Sequence, residues 1–397
     1  MKKLKILFFG GNFFNYLIAK NCIKLGAQCF LADMSKKCFA AKERNFININ
    51  FNDRKKIITF IKKKKINFIY ISQSDVGIKT LGYINSKLKL PGIDYTVAKN
   101  LTNKGTIRKI LTKNNFFQPK FIISKNPKKI INFILNKKCI IKPVDSSGSR
   151  GVNEIKNASS VRKLIKDALS FSSLKKTIVE EKIKGKEFGA QTFSLNGKCK
   201  YVYLHNDYMS KKNNKIPIGH SMPFYLVKNK KIVLKIKNDI AQAVEIMKIK
   251  NGPCNVDCII TKNKKLVILE ISPRIGATCL PQILKIYSGI DWDINSIKLL
   301  NGHKIEKLKE RKINVIAKVF ESSRSGILEQ IKIKKNPVNT KTVIILKKNE
   351  QISRFSDGSK LFGYTISHGK SYKKVMKNTN SIINSIKIKL KKDVYSY

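Results

Sequence analysis

The sequence predicts a mixed fold, α/β in its first hundred or so residues and α+β beyond them, and three observations carry that expectation. Through residue 100, short apolar blocks alternate with helical patterns, the order of parallel strands joined by crossover helices. From residue 104, helices are interleaved with strands that follow one another in pairs, and a loop of small residues leaves one of them. The segment 306–397 reads as short strands with one helix near its end.

In the first segment, 1–100, a strand Leu4–Phe9 meets the turn Gly10-Gly11-Asn12, a helix runs through Leu25, and a second strand Cys29–Ala32 ends at Asp33. A polar helix Arg54–Lys65, a strand Phe68–Ser72 and a helix Val76–Leu88 follow, closed by Leu90-Pro91-Gly92. This pattern predicts a doubly wound parallel sheet. The glycine pair lacks the full GxGxxG spacing, so it reads as a tight turn rather than a nucleotide site. The middle segment, 101–305, predicts helices over Lys104–Lys113, Pro127–Leu135, Ser159–Ser170 and Lys235–Met247. Its strands are Phe121–Ser124, Cys139–Pro143, Thr177–Glu181, Phe188–Leu195, Cys199–His205, Pro253–Thr261 and Leu266–Ile271. In 306–397 the strands are Asn314–Phe320, Ile327–Ile333, Thr342–Leu346 and Leu361–Ser367, and the helix is Tyr372–Ile386.

Composition excludes several classes. With 42% hydrophobic residues in 397, the chain has enough apolar material for a core and is not a disordered tail. Lys and Arg number 82 against 25 acidic residues, for a net charge of +57, which raises nucleic acid as a partner. Only nine of the basic residues are Arg, and no aromatic platform or Arg-rich helix accompanies runs such as Lys62 to Lys65. The lysines therefore read as solvated faces that attract anionic substrates, without specific nucleic-acid binding. Eight cysteines form no CxxC pair and no zinc spacing, which suits a reducing cytoplasm. The basic start and the run Ile6 to Phe9 resemble a leader, but Gly10 and Gly11 interrupt it, so it reads as a first strand. No apolar stretch is long enough to predict a membrane span.

A near match to a phosphate-binding P-loop at Gly369-Lys370-Ser371 fails, because Tyr364 stands where glycine is needed. The stronger signal is Ile140 to Gly151, in which an apolar strand delivers Lys142 to the loop Ser146-Ser147-Gly148-Ser149-Arg150-Gly151. Backbone N–H groups of such a loop wrap phosphate oxygens while the lysine offsets their charge. Downstream, Val179-Glu180-Glu181-Lys182-Ile183 offers an extended edge for a base, and Glu187 a carboxylate for ribose hydroxyls. Asp257 and Glu270 lie on consecutive strands joined by the Lys262-Asn263-Lys264 turn, so two carboxylates converge as a hard-cation pair. The competing structural expectation is that they pair with buried lysines.

The order of these motifs resembles the ATP-grasp ligases, over about residues 1 to 305, and the C-terminal segment is similar to the small antiparallel domain of biotin-carboxylase-like members. The resemblance implies a flavodoxin-like domain (1–100), a two-part ATP-grasp domain (101–305, its lid about 121–185) and a small antiparallel domain with a helix (306–397). It implies that Lys104 and Lys142 hold ATP phosphates under a lid that includes Ser147, Gly148 and Ser149. Glu180, Glu181 and Ile183 would then meet adenine, the last two through their backbones, and Glu187 the ribose. Asp257 and Glu270 would ligate Mg²⁺, with Mn²⁺ the other ion such a set accepts, and Arg274 would stabilise the transferred phosphoryl group.

Glu270-Ile271-Ser272-Pro273-Arg274-Ile275-Gly276 is similar to the family's E-I-N-P-R-x-G pattern, with Ser272 where an Asn usually ligates the second metal. The segment after Arg274 lacks the stretches typical of biotin carboxylases and purine-pathway members. What remains is similar to the carboxylate–amine ligases, which implies small-molecule carboxylate and amine substrates, an acylphosphate, and a homodimer. His220, in Gly219-His220-Ser221-Met222-Pro223, and Asp207-Tyr208 fall where the family places acceptor contacts, so His220 is the expected substrate or proton-transfer residue. Two alternatives stand beside this: a non-catalytic ATP- or nucleic-acid-binding protein with a degraded metal site, and a bicarbonate or carbamoyl-phosphate type of ATP-grasp enzyme.

Overall fold

The computed structural model describes residues 4–210, 216–356, 358 and 360–391. The first three residues of the segment weighed as a leader lie outside the described residues. The chain divides into two units: Met1–Tyr203 with Val227–Ile275 and Ser296–Lys304, and Leu204–Leu226 with Gly276–Asn295 and Ile305–Tyr397.

The first unit opens with β1 (Lys5–Phe9), α1 (Phe13–Lys24), β2 (Gln28–Asp33), β3 (Phe46–Asn48), α2 (Arg54–Lys64), β4 (Phe68–Tyr70) and α3 (Ile78–Leu88). The strands form a parallel sheet of order β3-β2-β1-β4. β1 is buried on both faces, as its unbroken run of apolar residues requires. The glycine turn is the tight turn its sequence predicts: a Cβ on Gly11 would meet Cys38 Sγ at 2.4 Å, and the Gly11 N–H donates to Asp33 Oδ2 at 2.7 Å. Two short elements escape the sequence pattern, β3 and α4 (Tyr95–Leu101). Each is too brief for a period to declare itself, although Asp94 caps α4 by accepting from Val97 N at 2.8 Å.

Next come α5 (Lys104–Lys113), β5 (Phe121–Ile123), α6 (Pro127–Ile134), β6 (Cys139–Pro143), β7 (Asn153–Ile155), α7 (Val161–Ser170) and β8 (Thr177–Glu181). The four strands pair antiparallel in the order β5-β8-β6-β7 around a core of Ile130, Cys139, Ile141, Ile155, Val161, Ile165, Ala168 and Val179. This is a self-contained layer over the segment expected to be the lid. β9 (Lys186–Leu195) and β10 (Lys198–Met209) follow as a hairpin, and β10 carries the chain into the second unit at Leu204.

The second unit holds the end of β10, β11 (Pro217–Met222), and, after the chain has returned to the first unit for α8 (Lys230–Ile246), β12 (Gly252–Ile260) and β13 (Leu266–Ser272), the start of its helices α9 (Leu280–Ser288) and α10 (Trp292–Leu300). β12 pairs antiparallel with β9 on one side and β13 on the other. β11 was not legible because Pro-Ile-Gly-His-Ser-Met alternates no apolar side chains, yet four of its six residues are buried. The remaining elements are β14 (Asn314–Phe320), β15 (Gly326–Lys332), β16 (Thr340–Ile344), β17 (Gln351–Ile352), β18 (Gly363–Gly369), α11 (Tyr372–Ser385) and β19 (Lys387–Leu390). β18 pairs antiparallel with β14 and β16, and Ser371 Oγ caps α11 by accepting from Lys374 N at 3.3 Å, so Gly369-Lys370-Ser371 is a strand-to-helix turn and no phosphate loop. Among the described residues no helix is long and apolar enough to cross a membrane.

Candidate active site

α5 follows directly on α4, and Asn103 caps it by accepting from Thr106 N at 3.1 Å. Its first residue, Lys104, is held twice. The backbone N–H donates to Val144 O at 2.7 Å, and Nζ donates to the carbonyl of Ser146 while lying 3.3 Å from Glu270 Oε2. One ammonium therefore joins the small-residue loop to the hairpin carboxylate.

The loop itself springs from β6. Asp145 anchors its base, accepting from the hydroxyls of Ser172 and Ser173 and from Leu174 N at 3.0 Å. Beyond that anchor Gly148 and Ser149 are exposed, with φ of 67° and 58°, and a Cβ on Gly148 would meet nothing within 4 Å. The Ser146 hydroxyl is buried and has no hydrogen-bond partner among the described residues. A buried orphan hydroxyl costs free energy unless a polar group reaches it. Together with Lys104 and Lys142, this donor set fits a polyphosphate.

Lys142, on β6, turns inward. Its Nζ lies 2.6 Å from Glu180 Oε2, and Arg108 Nε lies 2.8 Å from Glu180 Oε1. Arg108 is fully buried, and its Nη1 also donates to Ile268 O at 2.7 Å and Gln118 Oε1 at 3.0 Å. Burial would raise the Glu180 carboxyl, but Lys142 and Arg108 together hold it at about 2. Burial also lowers the Lys142 ammonium, against the pull of Glu180. Glu180 and Lys142, expected at the base and the phosphates respectively, are thus ion-paired to each other. Along the same edge, the N–H of Glu181 donates to Lys120 O at 3.0 Å, Ile183 is half-buried just past the strand, and Glu187 is exposed on β9.

The hairpin brings its carboxylates face to face. Asp257 on β12 is directly opposite Glu270 on β13, and Asn255 opposite Ser272. Like charges so placed repel unless cations intervene. Asn255 Nδ2 donates to Asp257 Oδ1 at 2.9 Å, and Asn255 Oδ1 in turn accepts from Gln191 Nε2 on β9. Both carboxylates are half-buried, and two oxygen-bearing side chains on a rigid sheet are the chemistry a hard divalent cation takes. Arg274 is nine-tenths buried and clamped by Asp75, Nε to Oδ1 at 2.9 Å and Nη2 to Oδ2 at 2.6 Å. Burial raises and Arg274 lowers the Asp75 carboxyl, with Lys104 and the Ser272 hydroxyl adding to the lowering, and the net direction is down. Ser272 therefore faces the Asp75–Arg274 pair.

Sequence reasoning missed Arg108, Asp75, Asn255 and Gln191. Arg108 carried a signal: Arg is scarce in this lysine-rich chain, and one inside the apolar face of a helix marks a buried ion pair. Asp75 carried none, because its partner is 199 residues away.

Residues 101–278 match the family model described as an ATP-grasp domain, and all the nucleotide, metal and catalytic residues expected above fall within that segment. Solved structures extend that likeness to the whole chain. Phosphoribosylglycinamide synthetase from Anaerococcus prevotii is 22% identical, with a TM-score of 0.78 over 98% of this chain and 100% of that one. An L-amino acid ligase from Bacillus licheniformis is 16% identical, with a TM-score of 0.77 over 99% and 100%. The biotin carboxylase domain of the 2-oxoglutarate carboxylase from Hydrogenobacter thermophilus, solved as a dimer with MgADP, ADP and bicarbonate, is 12% identical, with a TM-score of 0.80 over 97% and 90%. The fold of this chain is accordingly the ATP-grasp fold, with the flavodoxin-like N-terminal sheet and antiparallel C-terminal part expected of it. No curated protein sequence matches the chain.

Proposed function

We propose that the protein is an ATP-dependent ligase that activates a carboxylate as an acylphosphate and couples it to an amine, releasing ADP and phosphate. The observation that carries this is Lys104, whose ammonium bridges the loop carbonyl of Ser146 and the carboxylate of Glu270. A phosphate-seeking cation between a phosphate loop and a pair of carboxylates is the arrangement phosphoryl transfer needs.

In this reading Lys104, Lys142 and the Ser146–Gly151 loop bind and cover the ATP phosphates, and Glu180 fixes the direction of Lys142. The edge Glu180 to Ile183 takes adenine and Glu187 takes ribose. Asp257 and Glu270 are the residues that hold Mg²⁺, or Mn²⁺ in its place, with Ser272 the weaker third ligand. The chemistry such an ion supplies is neutralisation of charge on phosphoryl oxygens. Arg274, aimed by Asp75, faces the group in flight. A carboxylate oxygen attacks the γ-phosphorus as the bond to ADP breaks. The amine nitrogen then attacks the carbonyl carbon, phosphate leaves with the bonding pair, and the amine proton passes to a base, for which His220 is the candidate. Loop closure over the phosphates keeps water from the acylphosphate.

Two of the similar structures are a synthetase and an amino-acid ligase, which supports the reading. Asp257 opposite Glu270, and Arg274 clamped by Asp75, favour this reading over the non-catalytic alternative. A homodimer, a cytoplasmic setting suited to eight free thiols, and the domain limits 1–100, 101–305 and 306–397 belong to the same proposal. Product analysis over a panel of carboxylates and amines tests it. ADP with inorganic phosphate is expected; AMP with pyrophosphate overturns it.

A further inference from the structure

Two of the chain's four histidines share one carboxylate. Asp207 on β10 is directly opposite His220 on β11, and His205 lies two residues before Asp207, on the same face of the strand. His205 Nδ1 is 2.8 Å and His220 Nδ1 2.7 Å from the same oxygen, Asp207 Oδ1, and the two rings meet edge to face with centroids 4.9 Å apart. Both imidazoles are buried, His205 at 1% exposure and His220 at 4%.

This is an unusual choice of partner. In a chain with 82 Lys and Arg residues, a carboxylate that needs only a counter-charge has ammonium groups in abundance. Asp207 instead takes two imidazoles, whose distinguishing chemistry is ligation of transition metals.

We propose that His205, Asp207 and His220 form a binding site for one divalent transition-metal ion of the imidazole-preferring class, for which Zn²⁺ and Co²⁺ are the probes. Two neutral imidazoles and one carboxylate make a three-ligand set that leaves the fourth position of a tetrahedral ion to water or a substrate group. Tetrahedral ligand bonds of about 2.0–2.1 Å place ligand atoms about 3.3–3.4 Å apart, so filling the site widens the present 2.8 and 2.7 Å contacts by about half an ångström. Each ring ligates through Nδ1 in the tautomer that carries its proton on Nε2. The site differs in class from Asp257 and Glu270, whose oxygens suit Mg²⁺.

The test uses the full chain, stripped of metal and without nucleotide. Co²⁺ added at one equivalent should be retained through gel filtration and give an imidazole–carboxylate visible spectrum without thiolate charge-transfer bands, and Zn²⁺ should displace it. His220→Gln and Asp207→Asn should each weaken Co²⁺ binding about 100-fold or more. Should either variant fail to fold, electron paramagnetic resonance of the Cu²⁺-loaded wild-type chain decides: coupling to two nitrogens is expected. Failure of the wild-type chain to retain an equivalent, a thiolate spectrum, or coupling to fewer than two nitrogens would overturn the proposal. None of these readouts involves turnover, so ligase activity and the metal site stand or fall separately.

Discussion

Two charged clusters in the first unit are built to opposite plans. Around Glu180, one anion meets two cations in a closed interior: the side chains of Arg108, Glu180 and Lys142 are 0%, 5% and 11% exposed. Around Glu270, two carboxylates share one strand-to-strand position, and the nearest ammonium, Lys104, is also committed to a loop carbonyl. Glu270 keeps 24% of its side chain exposed. The closed cluster leaves no anionic charge unpaired and ties α5, β6 and β8 together. The open one has anionic capacity left over, directed where a cation and phosphates fit. What distinguishes the two clusters is the balance of charge as much as burial.

The largest effect should come from Glu270→Gln. Size and hydrogen bonding persist while the charge goes, so turnover should fall about 100-fold or more with the thermal midpoint near that of wild type. Thermal unfolding and ADP release on one preparation check this, and a large drop in midpoint with specific activity kept would assign Glu270 to Lys104 alone. Glu180→Gln should show the reverse order of effects. It strands Arg108 and Lys142 without an anion and should cost about 3–5 kcal/mol in urea denaturation; a loss under about 1 kcal/mol would break the contrast.

Acid sharpens the same comparison. The Glu180 carboxyl is held at about 2, below its ordinary value, so its contribution is complete above the usual carboxylate range and is lost as pH falls through that range toward 2. The gap in stability between wild type and Glu180→Gln should therefore shrink from about pH 6 to about pH 3. A gap that stayed constant would mean that Glu180 holds the cluster by shape, not charge. The smallest effect is expected at Gly148, whose φ of 67° is left-handed and whose surroundings are open. Gly148→Ala should cost about 1 kcal/mol of loop conformation and raise the KM for ATP about fivefold while leaving the unfolding midpoint near wild type. An unchanged KM would separate the loop from phosphate binding.

By itself the sequence determined the longer strands and helices of the first segment, the loop after β6, and the pairing of Asp257 with Glu270. Each of these is local: a period, a glycine-rich turn or a hairpin declares itself within a few dozen residues, and β12 and β13 place the two carboxylates opposite one another as the hairpin spacing implied. Short elements without a period, β3, α4, β11, α9 and α10, were not legible. Only the tertiary structure decided which charge meets which. Glu180 on β8 turned inward to Lys142 and Arg108, Arg274 found Asp75 across 199 residues, and His205 joined His220 on Asp207. The physical reason is that side chains of ionic pairs choose partners by distance and desolvation after the backbone has been folded, and neither quantity leaves a periodic trace along the chain.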